Sequence, residues 1–203
     1  KKLIVYGITE MAEYLYPYLI RDNEVEVVAF TVESKYLNKE TFFQKEIIPF
    51  EEIEEKYPPK DYEMIIAIGP TQMNKVREKY FLLAKEKGYK MYSYVSKLAS
   101  VMSSIGENSI IGDFVVIQPN TKIRDNNIIY EHTIICTKAS IGSHNYIAPA
   151  VRVGTNDIVG NNVILGMNST LKTDINIANE TLVGANCYIS KNTEFKGVYG
   201  VKS

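Results

Sequence analysis

The sequence predicts two domains of different classes, a small α/β domain over residues 1–97 and an all-β parallel β-helix over residues 98–203. Two observations lead to this division. Strand-like and helix-like segments alternate through the first domain, as in a parallel α/β unit. From Ile105 to Phe195, an aliphatic or aromatic residue then occupies every sixth position. A chain of 203 residues is long enough for both domains.

The six-residue period is the strongest pattern in the chain. It holds at 16 of 16 positions in a chain that is 45% hydrophobic, and chance would give this with a probability on the order of 10⁻⁶. Neither an α-helix nor a single β-strand has this period. In a parallel β-helix, each six-residue unit forms one side of a coil, and three sides make a coil of about 18 residues. The positions are Ile105, Ile111, Ile117, Ile123, Ile129, Ile135, Ile141, Ile147, Val153, Val159, Leu165, Leu171, Ile177, Val183, Ile189 and Phe195.

The residues that follow each apolar position support a β-helix. Glycine often comes next, and we expect it to supply the positive φ of a tight corner. Small or β-branched residues come mostly at the fourth position after the apolar one, where they would fit inside the coil. Asparagine, which tolerates left-handed conformations, is frequent in the corners. The glycines are Gly106, Gly112, Gly142, Gly154, Gly160, Gly166 and Gly184, and the asparagines are Asn108, Asn120, Asn126, Asn145, Asn156, Asn162, Asn168 and Asn186.

The first domain is predicted from four apolar segments and two helical ones. Strands are expected at Leu3–Tyr6, Val25–Val32, Tyr62–Ile68 and Met91–Val95. Helices are expected from about Thr9 to Ile20, with Thr9 as the N-cap, and from after Gly69 to about Lys87. The segment Pro49–Pro59 is expected to be a short acidic helix or a surface loop.

The turn after the first strand, Gly7-Ile8-Thr9-Glu10-Met11-Ala12, lies where a dinucleotide-binding fold has its phosphate loop. It keeps the first glycine of the GxGxxG motif but has Thr9 and Ala12 in place of the other two. The domain is also too short for a full two-lobed dinucleotide fold. We therefore expect a small Rossmann-like domain in which the helix N-terminus holds a phosphate or a base. A plain strand–helix turn is the alternative.

Charge and composition exclude several classes of partner. The net charge of −1 argues against a nucleic acid and against a basic membrane-binding surface. No apolar run is long enough to span a bilayer, and the first residues enter a strand at once, which no signal peptide does. Cys136 and Cys187 lie nearly three coils apart in the repeat. No disulfide between them is expected, so the predicted compartment is the cytoplasm.

The periodicity and the order of the two domains resemble the hexapeptide-repeat acyltransferases. Within that family, the whole chain is similar to the bacterial sugar O- and N-acyltransferases of the sialic-acid and bacillosamine pathways, with the N-acyltransferase of the D-anthrose pathway as one suitable member type. The resemblance implies a left-handed β-helix, although parallel crossovers are usually right-handed. It also implies a homotrimer with active sites between neighbouring prisms, acyl-CoA as the co-substrate, and a nucleotide-linked amino sugar as the acceptor.

Carried over by position, the resemblance implies two sets of binding residues. An acidic pair that ends the second strand in the family is only half present here, as Val32-Glu33. The nucleotide-sugar contacts would be Gly7, Thr9, Glu33, Gly69, Asn74 and Arg77. The acyl-CoA contacts would be Ala148, Gly154, Gly166, Asn168 and Ala185.

The histidines of the family are missing at their expected positions. One family histidine opens a His-Asp/Glu-Cys-x-Ile-Gly stretch, which corresponds here to the six residues that begin at Thr137 and end at Gly142. Another lies two residues before an Ala-Pro pair and corresponds to Tyr146. The two histidines of the chain, His132 and His144, fit neither position. The γ-type carbonic anhydrases share the prism but need three histidines on zinc, so that class is excluded and no metal is expected.

The missing base favours an amine over a hydroxyl as the acyl acceptor. A sugar hydroxyl needs a base to remove its proton, whereas an amine with a pKa of about 8 is appreciably neutral at pH 7 and can attack a thioester unaided. The protein must then supply position and an oxyanion donor. The resemblance implies a backbone N–H near Gly154-Thr155 as this donor. The candidate catalytic residues are Thr137, Tyr146, His144 and Thr155.

Two alternative functions stay open at the level of the sequence. The first is a sugar O-acetyltransferase in which His144 or His132 is a relocated base. The second is a non-catalytic trimer that binds a nucleotide sugar. Glu131 and Asp157 are expected either to orient an ammonium group or to be solvated corner charges.

Overall fold

The computed structural model describes residues 1–200 and divides into two compact units. The first comprises Lys1–Thr71 and Val76–Tyr92, and the second comprises Gln72–Lys75 and Ser93–Ser203. The last three residues of the second unit, 201–203, lie outside the described part. The observed division, between Tyr92 and Ser93, comes before the boundary that was expected after residue 97. The reason is that the segment Met91–Val95, expected to be one strand, contains parts of two separate strands. Lys90–Met91 joins the α/β sheet, and Tyr94–Val95 pairs with the β-helix strand Ile110–Ile111.

The first unit is a mostly parallel sheet with helices. In chain order, its elements are β1 (Lys2–Tyr6), α1 (Glu10–Asp22), β2 (Glu26–Val32), a 3-10 turn (Ser34–Tyr36), β3 (Thr41–Phe42), β4 (Lys45–Pro49), α2 (Ile53–Lys56), β5 (Glu63–Ile66), α3 (Lys75–Glu86) and β6 (Lys90–Met91). The strand order is β3-β4-β2-β1-β5-β6, and only β3 and β4 pair antiparallel. The chain runs outward from β1 to β2 and β4 and returns on the other side of β1 at β5. The carboxyl ends of β1 and β5 are therefore the topological switch point, where such sheets bind ligands.

The central strands are apolar on both faces. In β1, Leu3, Ile4 and Val5 are at most 1% exposed, as in a parallel strand that is covered on both sides. Ile4 belongs to a buried cluster that includes Tyr80 and Phe81 of α3. This packing fixes the carboxyl edge of the sheet, because α3 follows β5 across that edge.

The hairpin of β3 and β4 was not predicted from the sequence. Its two turn residues, Phe43 and Gln44, have φ angles of 47° and 60°. Turns with two positive φ angles usually contain Asn or Gly, so Phe-Gln gave no turn signal. The Phe43 ring lies 4.3 Å from that of Tyr16 and 4.6 Å from that of Phe42, measured between ring centroids. This aromatic packing holds the hairpin in a conformation that its turn residues do not favour.

The second unit is a left-handed parallel β-helix with three faces. The first face contains Tyr94–Val95, Ile110–Ile111, Ile128–Ile129, Tyr146–Ile147, Ile164–Leu165, Thr181–Val183 and Gly197–Tyr199. The second face contains Ser100–Val101, Val116–Ile117, Ile134–Ile135, Arg152–Val153, Thr170–Leu171 and Tyr188–Ile189, and the third contains Lys122–Ile123, Ser140–Ile141, Ile158–Val159 and Asn176–Ile177. In the central coils each strand pairs in parallel with the strand 18 residues further on. The residues between two faces form a corner, which we name by the face that it follows.

The six-residue period is confirmed inside this prism. Every sixth residue from Ile111 to Val183 is at most 6% exposed. The ends of the run differ, since Ile105 and Ile189 are only partly buried and Phe195 is 73% exposed. Phe195 was expected inside, but Ile177 pairs with Thr193 and Thr181 pairs with Gly197. The last coil is therefore two residues short, and Phe195 falls out of phase with the interior.

The corner glycines do not have the role that the sequence suggested. The left-handed φ angles lie two residues later, at every sixth position from Asn108 to Asn186, with values between 54° and 64°. Of the corner asparagines, Asn145 is the exception, because it is not at a left-handed position and its side-chain oxygen accepts the N–H of Val163 on the next coil. The glycines are needed for space. A Cβ on Gly142 would lie 2.4 Å from the carbonyl oxygen of Gly160 on the next coil.

Candidate functional site

The first unit has a cavity of about 380 Å³ at the switch point of its sheet. It lies where β1, β2 and β5 end, and its walls are mostly backbone turns and apolar side chains. The lining residues are Tyr6, Gly7, Ile8, Thr9, Val32, Tyr36, Asn38, Lys39, Ile68, Gly69, Thr71, Val76 and Tyr80. Three residues predicted to bind a nucleotide sugar, Gly7, Thr9 and Gly69, are among them.

Gly7 has a conformation and a position that only glycine fits. Its φ is 120°, and a Cβ would lie 2.4 Å from the carbonyl oxygen of Ala67. The Gly7 N–H donates to the Thr31 carbonyl at 2.9 Å, and the Ala67 N–H donates to the Tyr6 carbonyl at 2.7 Å. These bonds draw the ends of β1, β2 and β5 together and form the floor of the cavity.

Thr9 is the N-cap of α1, and it makes its hydrogen bonds to the helix with its backbone carbonyl and not with its side chain. Its carbonyl accepts the N–H groups of Ala12 and Glu13 at 2.8 and 3.0 Å, and its hydroxyl makes no capping hydrogen bond. Since Thr9 is exposed and lines the cavity, the N-cap of α1 lies at the cavity, and helix N-termini are common binding sites for anions.

Glu33, also predicted to bind the nucleotide sugar, is not part of the cavity lining. Its carboxylate lies 2.6 Å from Lys35 Nζ and 3.5 Å from Lys79 Nζ. The hydrogen bond from Lys35 is the main reason that the pKa of Glu33 is lowered. The carboxylate is therefore ionised, and besides the two lysines it hydrogen-bonds with Tyr80, a residue of the lining. The contact of Glu33 with a nucleotide sugar stays a prediction.

Asn74 and Arg77 are the other two predicted nucleotide contacts, and they also lie outside the cavity lining. Asn74 is fully buried, has a left-handed φ of 63°, and belongs to the short segment grouped with the second unit. Arg77 is fully buried, and its guanidinium donates to the Ile66 carbonyl at the end of β5. Burial and this hydrogen bond let Arg77 hold the end of β5, and its contact with a nucleotide sugar stays a prediction.

The back of the cavity is an aromatic pair. The rings of Tyr6 and Tyr80 stack with centroids 4.4 Å apart. Burial is the largest cause that raises the pKa of both hydroxyls above their usual value. Both phenols are therefore neutral near pH 7 and serve as hydrogen-bonding walls, not as bases.

Six polar or aromatic lining residues were not predicted from the sequence: Tyr36, Asn38, Lys39, Tyr6, Thr71 and Tyr80. The first three follow β2 on the 3-10 turn and the loop after it, where no periodic pattern marks them. The only available signal was position, because ligand contacts in parallel sheets cluster after the strand ends.

In the second unit, the predicted catalytic residues lie at separate places on the prism. Thr137 and Thr155 lie one above the other in the corner after the second face. His144 lies in the corner after the third face, and Tyr146 lies on the first face. Within one chain, the structure therefore does not bring His144 together with the two threonines.

Thr137, which corresponds to a histidine in the resemblance, donates two hydrogen bonds to the preceding coil. Its hydroxyl donates to the Pro119 carbonyl at 2.7 Å, and its N–H donates to the Gln118 side chain at 2.9 Å. The hydroxyl oxygen can still accept a hydrogen bond, and a catalytic role of Thr137 stays a prediction.

Asp157 binds one of the two backbone N–H groups at Gly154-Thr155, where the oxyanion donor was expected. It is fully buried and accepts the Gly154 N–H at 2.6 Å and the Ile175 N–H at 3.1 Å. The expectation of a solvated corner charge is therefore wrong, because Asp157 occupies an interior position. The Gly154 N–H is occupied by this carboxylate, which leaves the Thr155 N–H as the candidate donor. Burial is the main cause that raises the pKa of Asp157 above its usual value, although the two N–H groups lower it.

The two histidines both have left-handed backbones but different surroundings. His144 Nδ1 lies 2.8 Å from the Asn126 side-chain nitrogen, and the Asn126 side-chain oxygen accepts from Asn108 at 2.7 Å. In this arrangement Nδ1 is the acceptor, so the proton of a neutral ring is on Nε2. The His132 ring stacks on Phe114 with centroids 5.1 Å apart.

Four of the five predicted acyl-CoA residues share one corner, the one after the first face. Ala148, Gly166, Asn168 and Ala185 lie there on three successive coils. A Cβ on Gly166 would lie 2.5 Å from the Ala185 nitrogen, so these coils stack with little space between them. The fifth, Gly154, lies in the corner after the second face and does not join the set.

Other groups give no further site chemistry. Cys136 and Cys187 are both free thiols, and burial raises the pKa of Cys136. Among residues 1–200, no three His, Cys, Asp or Glu side chains come together as metal ligands. Within that same range, no helix has the length and apolar character needed to cross a bilayer.

Comparison with known proteins identifies the repeat and the fold. A family model for the bacterial transferase hexapeptide (six repeats) matches residues 102–137. No sequence among the curated proteins matches the chain. The acetyltransferase domain of PglB from Neisseria gonorrhoeae FA1090, solved with acetyl coenzyme A, superposes with a TM-score of 0.82 at 16% identity, over 93% of this chain and 92% of that one.

Two further solved structures have the same fold. WeeI from Acinetobacter baumannii AYE superposes with a TM-score of 0.82 at 20% identity, over 95% of this chain and 93% of that one. PerB from Caulobacter crescentus, in complex with CoA and GDP-perosamine, superposes with a TM-score of 0.72 at 18% identity, over 95% and 90% of the two chains. The chain therefore contains hexapeptide repeats over residues 102–137 and has the fold of these three solved structures. The fold agrees with the one that the resemblance in the sequence implied.

Proposed function

We propose that this protein is an N-acyltransferase that moves an acyl group from acyl-CoA to the amine of a nucleotide-linked amino sugar. One observation carries the proposal. A chain with hexapeptide coils also has a cavity at the switch point of its α/β sheet, where parallel sheets bind nucleotides. The similar PglB domain was solved with acetyl coenzyme A, and PerB with CoA and GDP-perosamine.

In this proposal the two units bind different parts of the substrates. The cavity beside Gly7, Thr9 and Gly69 binds the nucleotide. The corner of Ala148, Gly166, Asn168 and Ala185 binds the pantetheine arm of acyl-CoA, because its residues are small and its coils stack closely. Neither role needs a metal.

The transfer itself needs little from side chains. The neutral sugar amine attacks the thioester carbonyl, so a C–N bond forms as the C–S bond breaks. The thiolate of CoA leaves and takes the surplus proton of the amine. The Thr155 N–H donates a hydrogen bond to the negative oxygen of the tetrahedral intermediate. The Gly154 N–H is not available for this role, because it donates to the Asp157 carboxylate. Such a donor is worth about 3 kcal/mol in the transition state.

The same proposal includes a homotrimer. Thr155 and His144 lie at different corners of one prism, and Tyr146 lies on a face between corners. A site that unites any of these groups with the acyl-CoA corner requires a second chain. Packing three prisms side by side would bring unlike corners together.

A histidine base is the rival for this mechanism. His144 is the better placed of the two, since Asn126 and Asn108 orient its ring. However, in that arrangement Nε2 carries the proton of the neutral ring and cannot accept another one. The geometry therefore favours an amine acceptor over a hydroxyl acceptor.

The test is acyl transfer measured by thiol release, with acetyl-CoA and longer acyl-CoAs. The acceptors are GDP-, UDP- and dTDP-linked 4-amino sugars, each matched with the same sugar carrying a hydroxyl at that position. We expect release with an amine only, unchanged in His132→Ala and His144→Ala. Release with the hydroxyl acceptor that disappears in one folded histidine variant would establish the O-acetyltransferase. Nucleotide-sugar binding without thiol release under any condition would contradict the acyltransferase and support the alternative of a non-catalytic protein that binds a nucleotide sugar.

A further inference from the structure

We infer that Asp157 is a positioning residue for the proposed acyl transfer, because it fixes the direction of the Thr155 N–H that binds the negative oxygen of the intermediate. The inference rests on the proposed function and adds no chemical step to it. It concerns the corner after the second face, where Gly154, Thr155, Asn156 and Asp157 follow the strand Arg152–Val153.

The hydrogen-bond ladder of the prism is broken at Gly154. At the equivalent positions of other coils, the N–H donates to a carbonyl of the next coil, as from Cys136 to Val153 at 3.0 Å. The Gly154 N–H donates instead to the Asp157 carboxylate at 2.6 Å. The two stacked strands share one residue pair here, whereas the strand pairs before and after them on this face share two. Asp157 has therefore replaced a bond between coils by a bond within the corner.

Asp157 holds the peptide groups on both sides of the Gly154 Cα. Its carboxylate accepts the Gly154 N–H, and its own N–H donates to the Gly154 carbonyl at 3.3 Å. That carbonyl and the Thr155 N–H belong to one trans peptide group and point in opposite directions. The Thr155 N–H therefore points away from Asp157. Because glycine has the greatest backbone freedom of all residues, the direction of this N–H would vary without the two contacts.

The Thr155 N–H is free to bind a ligand. At equivalent corner positions the N–H donates to a side-chain oxygen of a neighbouring coil, as at Thr137 and Ser143. The residues that would supply such an oxygen to Thr155 are Cys136 and Thr173, and neither side chain has a carbonyl or a carboxylate. Within residues 1–200, the Thr155 N–H makes no hydrogen bond, and Thr155 is only half-buried.

Asp157 is an acid at an interior position that otherwise has neutral residues. The others in its column are Thr121, Ala139, Ile175 and Thr193. Asp157 is fully buried, and burial of a carboxyl group is costly even where N–H groups bind it. Stacking of the coils alone needs no acid, since the Asn145 side chain accepts the N–H of Val163 on the next coil at 2.7 Å. What the carboxylate adds is a second acceptor, which binds the Gly154 N–H.

The test replaces this second acceptor by a donor, in Asp157→Asn. Asn127 shows how an amide binds in this prism. Its oxygen accepts the Asn145 N–H on the next coil at 3.0 Å, and its nitrogen donates to the Arg124 carbonyl in its own corner at 2.7 Å. We expect the amide of the variant to keep the bond to the next coil and to bind the Gly154 carbonyl, but it cannot also accept the Gly154 N–H.

The expected effect is on the chemical step and not on substrate binding. The single-turnover rate of acyl transfer should fall by about 10- to 100-fold in Asp157→Asn, because the oxyanion donor is misplaced. The KM values for acyl-CoA and for the amino sugar should stay within about threefold of those of the unsubstituted protein. A crystal structure of the variant should show the Gly154 N–H bound to the Leu171 carbonyl and the Thr155 N–H turned from its present direction.

Ser109→Ala is the matched control. Ser109 is also fully buried, and its side-chain oxygen accepts the N–H of Asn127 on the next coil at 3.4 Å. Its removal takes away an interior hydrogen bond at another corner of the prism. The single-turnover rate and both KM values should therefore not change.

Asp157→Thr keeps the test falsifiable if the asparagine variant does not fold. Threonine occupies the same column at Thr121, where its hydroxyl donates to the Gln118 carbonyl at 2.9 Å. The same bond at the variant position would bind the Gly154 carbonyl and not its N–H, so the same loss of rate is expected. A folded variant with a rate within about threefold of that of the unsubstituted protein would overturn the inference, and so would a loss confined to KM.

Failure of this inference can be told from failure of the proposed function. Thiol release by the unsubstituted protein that Asp157→Asn retains in full would keep the acyltransferase and overturn the inference. No release by the unsubstituted protein with any acceptor would contradict the proposed function, and the positioning role with it, whatever the variants do.

Discussion

Single residues decide whether the cavity of the first unit can form. At Gly7, the φ of 120° and the approach of the Ala67 carbonyl both exclude a side chain. At Gly69, by contrast, a Cβ would meet nothing within 4 Å. Both glycines line the cavity and both were predicted from the sequence, but only Gly7 is required by the backbone.

The two glycines therefore form a matched pair of variants. Gly7→Ala should lower the free energy of unfolding by about 2 kcal/mol or more, since it adds both strain and a backbone clash. Gly69→Ala should stay within about 0.5 kcal/mol of the unsubstituted protein. Urea denaturation followed by circular dichroism measures both. Equal stability of the two variants would mean that the strand ends can move apart at no cost.

Asp157 predicts a pH dependence of stability. Burial raises its pKa in the folded protein above the ordinary value of 3.8, so the folded state holds the proton more tightly than the unfolded chain does. The stabilising contribution of the protonated form is fully present below pH 3.8 and is lost as the pH rises through the higher folded pKa.

Comparison with Asp157→Asn isolates this effect. The difference in unfolding free energy, variant minus unsubstituted protein, should increase as the pH is raised above the ordinary value, because only the aspartate must bury a charge. Denaturation at a series of pH values between acid and neutral measures it. A difference that falls with pH would show that the N–H groups of Gly154 and Ile175 outweigh burial and lower the folded pKa.

At the scale of the elements, the structure gives the corner residues other roles than those predicted from the sequence. Glycine follows the interior residue because the next coil is too close for a Cβ, as at Gly142. The left-handed residue lies two positions later and is Asn at many corners, but Ala150, His132 and Phe114 also adopt it. The stacking of coils, not residue preference, therefore imposes the corner conformation.

Two substitutions test this reading of the corner. Gly142→Ala should destabilise the β-helix by about 2 kcal/mol or more, because the clash is with backbone of the next coil. Ala150→Gly should be neutral or stabilising by up to about 1 kcal/mol, since it relieves a left-handed alanine with a φ of 61°. Thermal unfolding of both variants measures the difference. A stable Gly142→Ala variant would mean that the coils can separate locally.

What the sequence could predict depends on whether a pattern repeats. The interior of the β-helix repeats every six residues and was predicted well, except at Phe195, where the last coil is two residues short. The hairpin at Phe43-Gln44 and the separate strands within Met91–Val95 depend on tertiary packing, which no local pattern records. The cavity was located through Gly7 and Gly69, but Tyr36 and Lys39 lie on a turn without periodicity. Asp157 was misread because its interior position has an apolar or small residue on most coils.

At the scale of the whole molecule, the proposed trimer makes a prediction about mass. Light scattering coupled to size-exclusion chromatography should give three times the chain mass of 23.0 kDa. The reason is that the candidate groups lie at different corners of one prism, so a complete site needs neighbouring chains. A monomer with full thiol-release activity would contradict the proposed site, whereas an inactive monomer would agree with it.

The register of the coils also limits how a gene for this protein can change in length. Stacked strands are offset by 18 residues. An insertion of 18 codons therefore adds one whole coil, a deletion of 18 codons removes one, and both keep every later side chain in phase. A change that is not a multiple of six residues, when it falls within a strand, moves interior residues to the surface along the rest of the prism, and a change of six or twelve shifts the later strands to another face. Lengths that differ by whole coils are therefore the neutral variation to expect among descendants of this gene, and shorter insertions should be confined to the corners.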